Sequence, residues 1–123
     1  MEQPVMERYM KGDLVLIPFP FSAEESFAEE SFKVRPALVP ASLPYASGTD
    51  YLVCIVTTQN APDPYRLSLS NRDMENGTLD QICYLRPTYP YTVAEQQIKR
   101  VVGRITPAKL RKALQTLTRI LTP

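Results

Sequence analysis

The chain has 123 residues, of which 44% are hydrophobic and 22% charged, with a formal net charge of +1. That length suits one domain with a single core, and the composition excludes wholesale disorder. The longest apolar runs, such as Leu14 to Phe21, are too short to cross a bilayer.

There is no histidine, and the two cysteines, Cys54 and Cys83, each lie inside an apolar β-like stretch. Such thiols read as buried and inert rather than as a disulfide or metal ligands, so no metal site and no cofactor is expected. The opening Met1-Glu2-Gln3-Pro4 lacks the apolar region of a secretory leader, which points to a cytoplasmic protein. Charge is unevenly spread. Residues 1–30 carry seven acidic and two basic side chains, whereas the seven charged residues from Lys99 onward are all basic. A basic surface of this kind suits either a nucleic-acid or protein partner, or a plain solvated helix face.

In chain order, residues 1–10 read as a loose arm ahead of a domain over 11–123. Leu14 to Ile17 is a continuous apolar strand, stopped by Pro18 and Pro20. Residues 23–32 repeat Ala-Glu-Glu-Ser-Phe twice, which is too little for a repeat fold and reads as a lengthened surface loop. Val34 to Val39 forms a second strand, with Pro36 suggesting an edge or bulge and Pro40 ending it. After a turn at 47–50, Tyr51 to Val56 reads as a buried central strand. Tyr65 to Ser70 and Leu79 to Leu85 follow as strands, the latter ended by Arg86-Pro87. Thr92-Val93-Ala94-Glu95 has the form of a capping box and predicts a short helix. Ile98 to Ile105 reads as a strand with a bend at Gly103. Thr106 and Pro107 then open an amphipathic helix whose stripe is Leu110, Ala113, Leu114, Leu117, Ile120 and Leu121. The expected fold is mainly β, a small barrel of five or six short strands with a C-terminal helix packed on it.

Two segments carry the polar chemistry. Arg35, in Val34-Arg35-Pro36, is a permanent cation whose planar fork fits two oxygens of a phosphate. Thr57 and Thr58 place hydroxyls at the exit of the central strand. An arginine and a hydroxyl at strand ends make a phosphodiester-binding pair. The alternative for Arg35 is an ion pair with a carboxylate such as Asp80, and the alternative for the threonines is simple β-propensity. Thr58 is expected to point into the core.

Five segments in order resemble the PemK/MazF family of toxin endoribonucleases. They are Lys11-Gly12-Asp13-Leu14-Val15-Leu16, Val34-Arg35-Pro36-Ala37-Leu38-Val39, Val56-Thr57-Thr58-Gln59, Tyr84-Leu85-Arg86-Pro87 and Val102-Gly103-Arg104-Ile105. The resemblance implies an SH3-like β-barrel that forms homodimers and cleaves single-stranded RNA without metal. It maps the family's catalytic arginine and threonine onto Arg35 and Thr57, a polar site residue onto Gln59, and a later RNA-binding arginine onto Arg86. A second register instead uses Asp80-Gln81 and leaves Cys83 at that arginine's position. It also implies a cognate antitoxin protein as partner, with cyclic phosphate and 5′-hydroxyl ends as products.

Phe21, with Phe19, Tyr84, Tyr89 and Tyr91, is a candidate for stacking on unpaired bases, packing being the other use of such rings. The glutamates of 23–32 would repel RNA, so a catalytically silent barrel that binds RNA or protein stands as the alternative function.

Overall fold

The computed structural model describes residues 8–20, 32–60 and 62–123. Among the described residues there are seven strands: β1 (Asp13–Pro20), β2 (Phe32–Tyr45), β3 (Gly48–Thr57), β4 (Leu67–Leu69), β5 (Met74–Asn76), β6 (Cys83–Ala94) and β7 (Arg100–Ile105). One helix, α1 (Pro107–Leu121), closes the chain. All strand pairs are antiparallel, in the order β4-β6-β3-β2-β1-β7-β5, and the sheet curls into a nearly closed barrel. This is the mainly β architecture with a C-terminal helix that the sequence predicts.

The central strands bury side chains on both faces. Val15, Ile17, Ala37, Val39, Tyr51 and Val53 share one core layer with Val93 and Ile98. Leu14, Leu38, Cys54 and Val56 point the other way, into a layer with Leu69, Leu85, Ile105 and Ala113 of α1. Burial on two sides is why β1 and β3 read as continuous apolar runs rather than alternating ones. The helix starts where expected, with Thr106 Oγ1 accepting from Lys109 N at 3.2 Å and Pro107 in the first turn. Leu110, Ala113 and Leu117 carry its packing face, while Leu121 is 77% exposed and falls outside the stripe. No helix among the described residues is long and apolar enough to cross a membrane.

Several expected boundaries are corrected. Most of the prolines do not end strands: β1 runs through Pro18 and ends at Pro20, whereas β2 runs through Pro36, Pro40 and Pro44, and β6 through Pro87 and Pro90. Two of these residues sit where the ladder is already broken. The β2–β3 register shifts between Leu38 and Ala41, around Pro40, and the β3–β6 register shifts across Pro87. A strand bulge leaves a backbone N–H unpaired, so a missing donor costs little there. The β2–β3 turn is Ala46-Ser47, not 47–50. Residues 79–82 are not strand, and Thr92 to Ala94 complete β6. Only a 3₁₀ turn at Glu95–Gln97 follows, with Gln97 Oε1 accepting from Ala94 N at 2.7 Å.

Of the arm expected over residues 1–10, Arg8 to Met10 are described, and they are docked on the barrel. Tyr9 is buried edge-on against Tyr51, ring centroids 5.3 Å apart. The buried Tyr51 hydroxyl accepts from the backbone N–H groups of Arg8 and Tyr9. Phe21 and most of the glutamate repeat lie outside the described residues.

Candidate active site

The start of β2 and the end of β3 converge on one open depression of about 250 Å³. Its lining is Val34, Arg35 and Pro36 from β2, Val56, Thr57 and Thr58 from β3, and Cys83 at the start of β6. The register explains the meeting. Ala37 pairs with Ile55 in the β2–β3 ladder, and two residues outward along each antiparallel strand lead to Arg35 and Thr57. The two residues singled out for a phosphodiester site therefore share a wall.

Arg35 is half-buried, held on its other side by the pairing of β2 with β1. Thr57 is half-buried too, and its Oγ1 accepts from Gln59 N at 3.1 Å. That contact fixes the hydroxyl oxygen and leaves its hydrogen to donate outward. Thr58 is exposed rather than in the core, because the sheet ends at Thr57 and the strand alternation ends with it. Gln59 is exposed one step beyond.

Arg86 does not line the depression. Its Nε donates to Asp63 Oδ2 at 3.1 Å, and its guanidinium lies 4.3 Å from the centre of the Tyr89 ring. At the depression the β6 residue is Cys83, the position that the second register aligns with the family arginine. The Cys83 thiol is pushed up by burial and by the nearby Asp80 charge, which makes it a weak nucleophile.

Asp63 is the residue that the sequence reading missed. It lies 5% exposed in a polar loop whose described neighbours are exposed. Burial pushes its carboxyl up, but the Tyr65 amide, the Arg86 guanidinium and the Thr88 hydroxyl outweigh this and hold it below its ordinary value. The available signal was Asp63-Pro64, a turn-initiating pair. Nothing in the polar run around it announces burial. Among the described residues, no three Cys, Asp or Glu side chains gather as a metal site would need.

Residues 10–121 match the sequence model of the PemK-like, MazF-like toxins of type II toxin–antitoxin systems, and the chain belongs to that family. No curated protein matches the sequence significantly. Among solved structures, the chain resembles an endoribonuclease in complex with its cognate antitoxin from Mycobacterial species. The identity is 15% and the TM-score 0.66, over 94% of this chain and 97% of that one. It also resembles a chain of a MazE–MazF structure from Deinococcus radiodurans, at 16% identity and TM-score 0.62, over 90% of this chain and 94% of that one. The Mycobacterium tuberculosis toxin MazF-mt6 gives 14% identity and a TM-score of 0.58, over 87% and 95%. At such identities the likeness establishes the fold.

Proposed function

We propose that this toxin is an endoribonuclease that cleaves single-stranded RNA by attack of the 2′-hydroxyl on the adjacent phosphate. The observation that carries the reading is the meeting of Arg35 and Thr57 in one depression. RNA brings its own nucleophile, so the protein has to align it and stabilise charge, and these two side chains suit that work.

In the step itself, the 2′-oxygen bonds to phosphorus as the bond from phosphorus to the 5′-oxygen breaks. The 2′-hydroxyl gives up its proton and the departing 5′-oxygen gains one, leaving a 2′,3′-cyclic phosphate and a 5′-hydroxyl. Arg35 grips the non-bridging oxygens and stabilises the charge that builds on them. Thr57, its oxygen already fixed by the Gln59 amide, donates its hydroxyl hydrogen to the same phosphate. Gln59 lies beside it as an RNA contact. No metal is invoked, because the chain has no histidine and, among the described residues, those lining the depression offer no carboxylate.

The test is the requirement for the 2′-hydroxyl. An RNA with a single 2′-deoxyribose on the 5′ side of the cut should resist cleavage there while still being cut elsewhere. Cutting at the deoxy position would defeat the mechanism.

The partner in this reading is a cognate antitoxin that fills the depression and offers a carboxylate to Arg35, blocking RNA by competition. Cytoplasmic location and a homodimer belong to the same reading. Sedimentation of the purified toxin alone and with its antitoxin tests the stoichiometry.

A further inference from the structure

β3 and β4 lie on opposite sides of β6 and both run antiparallel to it. Thr57 pairs with Tyr84, yet β4 begins with Leu67 opposite Leu85. The chain that leaves the site at Thr57 must therefore cross β6 before it can enter β4. Asp63 is the buried point of that crossing. Its Oδ2 accepts from Arg86 Nε at 3.1 Å and Thr88 Oγ1 at 3.3 Å, and its Oδ1 from Tyr65 N at 2.9 Å. Its carbonyl accepts from Arg66 Nη1 at 2.8 Å and Arg66 N at 3.2 Å.

β6 is shaped to meet it. Between the pairs Cys54–Pro90 and Val56–Leu85, two steps along β3 match five along β6. The surplus falls on Arg86 to Tyr89, which stand out of the ladder as an enlarged bulge. Those are the residues that hold the crossing: Arg86 and Thr88 bond Asp63, and Tyr89 lies against the Arg86 guanidinium. Asp63 is four residues beyond Gln59, a reach of at most about 14 Å. An anchor at one end of so short a tether limits how far the Thr57–Gln59 turn can swing.

We propose that Asp63 and Arg86 are positioning residues, an ion pair that pins the β3–β4 crossing to the β6 bulge and so holds Thr57 and Gln59 in place to act on RNA. The inference rests on the endoribonuclease reading, and it assigns Arg86 to Asp63 rather than to the RNA backbone. Both lone pairs of the Asp63 carboxylate that face the bulge are engaged, so the pair works as a fixed joint and not as a mobile surface contact.

The experiment compares wild type with Asp63→Asn, Arg86→Gln, Arg86→Lys and the Asp63→Asn/Arg86→Gln double variant. It reads backbone 15N order parameters at Thr58 and Gln59, single-turnover RNA cleavage, and binding of an all-2′-deoxy analogue. For the two neutralising single variants, the order parameters should fall from about 0.85 to below about 0.6. Cleavage should slow roughly 10–100-fold with binding changed less than about threefold, since positioning affects the reaction and not the docking. The double variant should be no slower than either single one, as expected of two halves of one joint. Arg86→Lys keeps the charge but loses the planar fork, and should fall between wild type and Arg86→Gln.

A direct phosphate contact by Arg86 would instead weaken binding and lower the salt slope by about one, with Asp63→Asn binding RNA as well or better. That result overturns the proposal, as does unchanged order at Thr58 and Gln59 in folded variants. If wild type cleaves no RNA, the endoribonuclease reading fails. The order parameters then still decide whether the joint holds the turn.

Discussion

Asp13 and Arg104 stand 91 positions apart in sequence and meet in an ion pair of 2.9 Å. They pair across β1 and β7, and they belong to two motifs that the sequence shows only as separate segments, Lys11-Gly12-Asp13 and Val102-Gly103-Arg104. The two motifs are halves of one seam. Gly12 extends it, donating to Val39 O and accepting from Ile105 N, both at 2.9 Å. Asp13 is nearly fully buried, and its Oδ2 also accepts from Met10 N at 2.9 Å. Asp13→Ala removes the acceptor of the Met10 amide and the buried partner of the Arg104 guanidinium, which is itself 40% exposed. The expected cost is about 1–3 kcal/mol, seen as a lower urea midpoint with unchanged slope.

On the other edge of β7, β5 and β7 approach too closely for side chains. A Cβ on Gly103 would stand 2.7 Å from both Asn76 O and Met74 Cε, and one on Gly77 would stand 2.6 Å from Val102 O. Gly77 also has a φ of +85°, which L side chains rarely adopt. Gly103→Ala should cost about 1–3 kcal/mol through overpacking, and Gly77→Ala at least as much. Thermal melts of the two variants beside wild type check this, and unchanged melting of Gly103→Ala would contradict the packing.

Asp63 gives the protein an acid sensitivity of known sign. Its carboxyl titrates lower in the folded chain than in the unfolded one. Its contribution is therefore complete above the unfolded carboxylate value of about 4 and drains away as pH falls through the folded value. Wild type should lose more stability between about pH 5 and pH 3 than Asp63→Asn does, so the gap between them narrows in acid. Urea titrations across that range measure it. A gap that widens in acid would contradict the sign.

The two thiols should differ in reactivity. Burial pushes Cys54 up to about 11, so about 0.1% of it is thiolate at pH 8. Cys83 is 8% exposed and borders the depression, against 1% for Cys54. Alkylation of the native protein should reach Cys83 first and Cys54 only on unfolding. Mass spectrometry of the digested product reads the order directly.

The helix and the central strands were readable because their apolar residues follow one period over many positions. Thr106-Pro107 and the Leu110–Ala113–Leu117 face needed nothing beyond local pattern. The proline-bearing strands were not readable as long strands. A local rule assigns Pro40 and Pro87 to strand ends, whereas bulges set by tertiary pairing accommodate them within β2 and β6. The site divides in the same way. Arg35 and Thr57 stand out by residue type at strand ends, and the β2–β3 register brings them together. Asp63 did not stand out, because its burial depends on a crossing over β6 that no local pattern encodes.

The central claim is tested most directly by incubating unstructured RNA in EDTA with wild type, Arg35→Ala and Thr57→Ala, and identifying the product ends. Wild type should cut, leaving 2′,3′-cyclic phosphate and 5′-hydroxyl ends. Arg35→Ala should be slower by on the order of 10²-fold or more, as loss of a charge-stabilising donor implies. Thr57→Ala should also be impaired. A folded wild type that leaves a broad panel of RNAs intact would contradict the account, as would an Arg35→Ala variant that cuts as fast as wild type.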